Sequence, residues 1–177
     1  PIDSSNIAIE HWQLIGKIIF DQYDRQDGFV VLHGTDTMAY TTSALSFMLE
    51  GLSKPVVFTG AQLPISEPRS DARENLITAL DIASASKDGL PLVPEACIYF
   101  DYELLRANRS KKVESMQFDA FDSGNYPQLA KAGVKIDYNF AVIRKAQPDS
   151  RLILRSLFET NVAILKLFPG INQQVVK

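Results

Sequence analysis

The segment from residue 27 to residue 51, DGFVVLHGTDTMAYTTSALSFMLEG, constrains the fold more than any other part of the chain. It opens with four apolar residues at 29–32, rich in β-branched and aromatic types, which predict a buried strand. Gly34 allows a sharp turn, and the apolar spacing that follows predicts a helix over 37–50. Residues 35–37, Thr-Asp-Thr, would then occupy the start of that helix, where their side chains can cap free backbone N–H groups. Polar side chains at the carboxyl end of a strand lie where open α/β sheets bind ligands.

The rest of the chain alternates strand and helix patterns, which predicts an α/β fold with a mainly parallel sheet flanked by helices. The predicted strands are 29–33, 54–60, 95–100 and 162–168, with short candidates at 134–136 and 140–144. The predicted helices are 7–25, 37–50 and 70–86, with helical turns at 126–133 and a further helix from residue 172. Residues 101–121 are expected to be mostly loop, with one short strand or turn. We expect an incomplete N-terminal domain over 1–146, a linker over 147–160 and the start of a second small α/β domain over 161–177.

Composition argues against several classes of function. The net charge is −3 and no run of Lys or Arg exceeds two residues, so the concentrated basic face that nucleic acid needs is not expected. No apolar stretch reaches the roughly 18 residues of a membrane-spanning helix. Cys97 is the single cysteine, which rules out an internal disulfide and a CxxC metal site, and its apolar neighbours predict a buried thiol. We expect no nucleic-acid partner and no membrane span.

The polar residues after the first predicted strand allow two interpretations. The simpler one is a capped helix N-terminus, for which a single Ser, Thr or Asp is enough. The other notes that Thr35, Asp36 and Thr37 stand in a row beside His33. A threonine hydroxyl next to a carboxylate can relay a proton or orient a water for acyl chemistry, and Asp36 could instead bind a substrate ammonium. For His33, a structural role at the strand end is favoured over that of a catalytic base.

A family resemblance adds to this evidence. Residues 28–38, GFVVLHGTDTM, resemble the second signature of the L-asparaginase/glutaminase family over eleven consecutive positions. The continuation at 39–47, AYTTSALSF, is similar to the type I, usually cytoplasmic, branch of that family. Other stretches that resemble the family are DSS at 3–5, TGAQLP at 59–64, RSD at 69–71, NRSKK at 108–112 and FPGI at 168–171.

The resemblance implies a reaction and a set of residues. The family hydrolyses the side-chain amide of L-asparagine to L-aspartate and ammonia, without metal or cofactor. Its Thr-Asp-Lys set corresponds here to Thr35, Asp36 and Lys112, and Lys112 is preferred to Lys111 because it aligns without a gap. The implied substrate-binding residues are Asp3 and Asp36 for the α-ammonium, Ser4 for the α-carboxylate, and Ser5, Thr35 and the backbone carbonyl of Ala61.

One departure from the family pattern affects what this chain could do alone. The family's favoured nucleophile is a threonine in a Thr-Gly-Gly-Thr-Ile motif, and this sequence contains no such motif. We expect that motif to lie upstream of Pro1 and the 177 residues by themselves to be inactive. Two other functions stay open: the ammonia-releasing subunit of a tRNA-dependent amidotransferase, and a non-catalytic domain that binds an amino acid through Ser4 and Asp36. By resemblance, the protein is expected to be cytoplasmic and a homodimer or homotetramer.

Overall fold

The computed structural model describes residues 2–115, 117–147 and 149–175. In these ranges the helices are α1 (Ile9–Gln22), α2 (Met38–Met48) and α3 (Ala72–Ser84). The first six strands are β1 (Phe29–Leu32), β2 (Leu49–Glu50), β3 (Val56–Thr59), β4 (Ser86–Lys87), β5 (Leu90–Pro91) and β6 (Ala96–Phe100). The others are β7 (Glu103–Arg106), β8 (Lys111–Lys112), β9 (Phe121–Asp122), β10 (Ala130–Ala132), β11 (Ile136–Tyr138) and β12 (Ile153–Leu154). Short 3₁₀ turns cover Ser4–Asn6, Tyr23–Arg25, Ala107–Arg109 and Gln173–Val175.

The main sheet has six strands in the order β1-β3-β6-β7-β10-β11. The core strands β1, β3 and β6 run parallel, with Leu32 beside Thr59 and Phe58 beside Ile98. Strands β7, β10 and β11 continue the sheet in antiparallel fashion. The predicted α/β class and its parallel core are confirmed, and the antiparallel extension makes the sheet mixed.

Both faces of β3 and β6 are covered, which explains why these strands are almost continuously apolar. The edge strand β1, which was expected to be buried, is only partly so, and Leu32 is 64% exposed. Because successive side chains point to opposite faces, Val56 and Phe58 pack in a cluster with residues of α1 and α2. Val57 and Cys97 pack on the other face in a cluster with Ile82 of α3. Cys97 is fully buried, as its apolar neighbours predicted.

The segment after β6 is more regular than the sequence suggested. Residues 101–121 were expected to be mostly loop, but β6 and β7 form a hairpin with Phe100 opposite Glu103. Its central residues, Asp101 and Tyr102, have φ of 45° and 65°, the positive values that a tight type I′ hairpin requires. Neither residue is a glycine, so the usual sequence signal for such a turn was absent.

Three further predictions were wrong. Residues 126–133 were expected to form helical turns, but strand β10 lies there and pairs with both β7 and β11. Residues 140–144 form a turn rather than a strand. Residues 162–168 form no strand in the described chain, and Ile164 is 97% exposed. An apolar run becomes a strand only where a neighbouring edge pairs with it, and 162–168 has none among the described residues.

The predicted domain boundaries stay predictions. The expected linker at 147–160 includes Pro148, and the expected second domain includes Val176 and Lys177; these three residues lie outside the described ones. The helix expected from residue 172 is a short 3₁₀ turn, Gln173–Val175, within the described part. No helix among the described residues is both long and apolar enough to cross a membrane.

Candidate active site

The carboxyl ends of β1 and β3 lie side by side, and the backbone N–H of His33 continues their pairing by donating to the Thr59 carbonyl at 2.9 Å. The residues after β1 do not cap α2 as predicted. The helix begins at Met38, with Thr37 at its N-cap position and no side-chain capping bond. Thr37 Oγ1 instead donates to the Ser4 carbonyl at 2.6 Å. The helix-cap interpretation is therefore wrong for this stretch, because its side chains have partners elsewhere in the fold.

Thr35 and Asp36 both contact Lys112, although that lysine lies 77 and 76 positions away from them in the sequence. Lys112 Nζ donates to Thr35 Oγ1 at 2.8 Å and to Asp36 Oδ1 at 2.7 Å. The lysine lies on β8, which pairs with β9 so that Lys112 is opposite Phe121. The Lys112 side chain is 15% exposed and that of Asp36 is 62% exposed. The ammonium is thus shielded from solvent and compensated by a carboxylate that faces open space.

The N-terminal residues 3–5, Asp-Ser-Ser, lie against the turn after β1. Ser4 is buried, and a Cβ on Gly34 would come within 2.6 Å of Ser4 Oγ. Gly34 is therefore required by this close approach, not by a left-handed backbone. The Asp3 carboxylate accepts from the backbone N–H and hydroxyl of Ser5 at 2.9 and 2.8 Å. These two hydrogen bonds, the backbone one first, lower the pKa of Asp3, so it is an anion held near the site.

Four of the predicted site residues line cavities, and they are divided between two of them. Ser4 and Ala61 line a cavity of about 630 Å³, whose other walls are mostly apolar. Asp36 and Lys112 line a second cavity of about 510 Å³. No group of three or more metal-ligating side chains of the His, Cys, Asp or Glu type occurs among the described residues.

His33, for which a structural role is predicted, makes its contacts within the protein. Its Nδ1 lies 2.7 Å from the Gly34 carbonyl, which can only accept, so Nδ1 carries the proton. Its ring meets the ring of Phe58 edge to face, with the two ring centroids 6.3 Å apart. Burial lowers the pKa of His33 below its ordinary value. The neutral imidazole thus closes the end of β1.

Sequence reasoning gave no role to Gln62, which contacts Thr35. Thr35 Oγ1 donates to Gln62 Oε1 at 3.1 Å. Both carboxylate oxygens of Asp71 accept from the Gln62 backbone N–H at 3.0 Å. The stretch TGAQLP was noted for its family resemblance, yet a lone glutamine in a loop carries no periodic signal. Only the adjacency of β1 and β3 could have suggested that Gln62 faces Thr35.

The comparisons with known proteins agree with this geometry. The protein-family model described as "Asparaginase, N-terminal" matches residues 1–144 of the sequence. The chain belongs to the asparaginase family. This asparaginase-family chain is 43% identical over 176 residues to L-asparaginase 1 of Escherichia coli strain K12, covering 99% of this chain and 50% of that protein. It superposes on the crystal structure of L-asparaginase I from Vibrio cholerae with a TM-score of 0.87 and 40% identity, covering 99% of this chain and 52% of that one. The predicted resemblance to type I asparaginases is therefore confirmed.

A mouse relative of this asparaginase-family chain carries a different name. The Mus musculus protein named 60 kDa lysophospholipase is 46% identical over 175 residues, covering 99% of this chain and 30% of that protein. The chain thus spans between about a third and about half of the length of these relatives. It corresponds to one portion of larger proteins, of which the two bacterial ones are named for asparagine hydrolysis.

Proposed function

We propose that the protein hydrolyses the side-chain amide of L-asparagine, and that Thr35, Asp36 and Lys112 carry its proton chemistry. The observation that supports this most is the pair of hydrogen bonds from Lys112 Nζ, at 2.8 Å to Thr35 Oγ1 and 2.7 Å to Asp36 Oδ1. These bonds join residues that are 77 and 76 positions apart in the sequence. A hydroxyl linked to an amine and a carboxylate is the arrangement that proton transfer at an acyl centre needs.

In the net reaction, a water oxygen becomes bonded to the amide carbon and the carbon–nitrogen bond breaks. One proton of the water goes to the leaving nitrogen, which departs as ammonia, and the second leaves the new carboxylic acid, which becomes a carboxylate, and is taken up by the ammonia to give ammonium. We assign to Thr35 and Lys112 the movement of the first of these protons, through the Oγ1–Nζ hydrogen bond. The reaction requires neither metal nor cofactor.

The substrate is proposed to be held at both ends of its amino-acid moiety, because this fixes the amide carbon relative to the reacting groups. Asp36 and Asp3 would face the α-ammonium, and Ser4 would bind the α-carboxylate. Ser5 would hold the Asp3 carboxylate in place through the two hydrogen bonds that it donates to it. The Ala61 carbonyl would accept from the amide nitrogen.

The test measures ammonia and aspartate release by the full-length protein supplied with L-asparagine. Thr35→Val and Lys112→Met should lower kcat by about 10²–10⁴, the usual contribution of a positioned proton-transfer group, while asparagine still binds. Lys111→Met is the matched control, since Lys111 is the adjacent exposed residue of the same strand. Unchanged kcat in the Thr35 and Lys112 variants would refute the assigned roles.

The same experiment separates this function from the alternatives. Ammonia release only in the presence of a partner subunit would indicate an amidotransferase component, and asparagine binding without turnover would indicate a binding domain. Release of fatty acid from lysophosphatidylcholine, assayed in parallel, would favour the activity for which the mouse relative is named. We also propose a cytoplasmic homodimer or homotetramer, which light scattering and fractionation of cells test directly.

A further inference from the structure

The side chain of Gln62 lies between Thr35 and the segment that follows β8. Its Nε2 donates to the Gln117 carbonyl at 2.8 Å, and its Oε1 accepts from Thr35 Oγ1 at 3.1 Å. A backbone carbonyl can only accept. The orientation of the amide is therefore fixed by Gln117: the NH₂ group faces that carbonyl, and the oxygen faces Thr35.

This orientation determines where the single proton of the Thr35 hydroxyl points. The Lys112 ammonium has only donors and uses one of them on Thr35 Oγ1. The hydroxyl must then send its own proton to another acceptor, and Gln62 Oε1 is in place to receive it. The Thr35 oxygen thus accepts from Lys112 and donates to Gln62, with both directions specified.

The backbone that carries Gln62 is held by the first turn of α3. Asp71 accepts from the N–H groups of Gln62 and Leu63. Asn75 Nδ2 donates to the Gly60 carbonyl at 3.0 Å and to Asp71 Oδ2 at 3.1 Å. A side chain placed by such a supported loop keeps its geometry with little reorganisation, as a group that orients a reacting residue must.

We propose that Gln62 is a positioning residue: by accepting the Thr35 proton, it holds the Thr35 oxygen as the acceptor that faces the Lys112 donor. This rests on the proposed function, because it assigns Gln62 a part in that reaction. Gln62 acts through Thr35 and not on the substrate, so its loss lowers kcat and leaves KM for asparagine nearly unchanged. Because Gln62 orients a transferring group and does not itself transfer the proton, we expect a loss in kcat of roughly 10- to 100-fold, below the 10²–10⁴ contribution of a positioned proton-transfer group.

The kinetic test compares Gln62→Met with Gln13→Met in the full-length protein. Methionine has a similar length but no amide oxygen. Gln13 is a matched control, because it is also half-buried and its Nε2 donates to a backbone carbonyl, that of Ser156, at 2.8 Å. Gln62→Met should lose roughly 10- to 100-fold in kcat with KM within about twofold, and Gln13→Met should keep wild-type kcat. Wild-type kcat in a folded Gln62→Met variant would overturn the proposal.

A second measurement does not depend on turnover. In ¹⁵N-labelled protein, Thr35→Val should move the side-chain NH₂ signals of Gln62, since it removes the hydroxyl bonded to the amide oxygen. Thr37→Val is the control, because Thr37 Oγ1 bonds to the Ser4 carbonyl instead, and it should leave those signals in place. Gln62 signals unmoved by Thr35→Val would overturn the positioning role. An inactive wild type in which the signals do move would instead reject the proposed function and keep the Gln62–Thr35 bond.

Discussion

Replacing Arg106 by methionine is expected to destabilise the protein severely, because it leaves one buried carboxylate without its counter-ion. Arg106 Nε and Nη2 bond to the two oxygens of Glu95 at 2.5 and 3.0 Å. The side chains are 13% and 3% exposed. Arg106 also donates to Tyr126 Oη and to the Val142 carbonyl.

The magnitude follows from which groups lose their partners. In Arg106→Met, Tyr126 Oη still has the Val142 carbonyl within 3.4 Å as an acceptor, so these two groups can satisfy one another. Among the described residues, the Glu95 carboxylate then keeps one donor, the backbone N–H of Arg144 at 3.0 Å. The variant therefore contains a buried carboxylate without a counter-ion, which should lower the free energy of unfolding by about 3–5 kcal/mol. Since whole domains are stable by only about 5–15 kcal/mol, the variant should lie near the limit of folding.

Urea denaturation followed by circular dichroism measures this loss. The matched comparison is the double variant Arg106→Met with Glu95→Leu, which removes both charges and fills the site with apolar side chains. Such replacements are often neutral or stabilising relative to the ion pair, so the double variant should be more stable than the single one by several kcal/mol. A loss below about 1 kcal/mol in Arg106→Met, or a double variant whose losses simply add, would refute the argument.

Three further predictions follow from burial and packing. The Cys97 thiol is fully buried and its pKa is raised well above the usual range, chiefly by desolvation, so a thiol reagent should label it only after unfolding; rapid labelling of the native protein would contradict this. Burial lowers the pKa of His33 below its ordinary 6.5, so the unfolded state binds more protons below that pH and stability should fall as the pH decreases from about 6.5 to the lower folded pKa. His33→Asn should flatten that slope, and an unchanged slope would reject the reasoning. Gly60→Ala would press a methyl group against the His33 carbonyl and should cost about 1–3 kcal/mol, whereas Gly133→Ala, whose nearest neighbour would lie at 3.6 Å, should cost far less in the same denaturation assay.

The parallel core could be predicted because its strands are continuous apolar runs, as strands buried on both faces are; β3 and β6 are buried in this way, and β1 is partly buried. Strands β1, β3 and β6 are nearly uninterrupted apolar runs, and each was expected within a residue or two of its observed position. The antiparallel strands β7, β10 and β11 have three or four residues each. Such short strands depend on the edges that they meet in the folded protein, not on their own composition.

In the candidate site too, residues close in the sequence could be predicted together, whereas contacts between distant elements could not. The turn after β1 was found from a strand, a glycine and a row of polar residues, and its partner Lys112 came from the family resemblance. No rule of local spacing joins residues 77 positions apart. Gln62 was missed because its importance depends on a hydroxyl from a different strand, and Thr37 was assigned to a helix cap although its hydroxyl bonds to the Ser4 carbonyl.

The segment that carries Lys112 begins at the arginine whose side chain forms the ion pair of the stability prediction. Glu95 immediately precedes β6, and Arg106 ends β7. From Arg106 the chain passes through the turn Ala107–Arg109, whose Ala107 is fully buried. Ser110 Oγ then donates back to the Arg106 carbonyl at 2.7 Å, and β8 follows directly. Through its backbone carbonyl, Arg106 therefore helps to hold the short segment that leads to Lys112, six residues further along the chain, while its side chain forms the ion pair with Glu95.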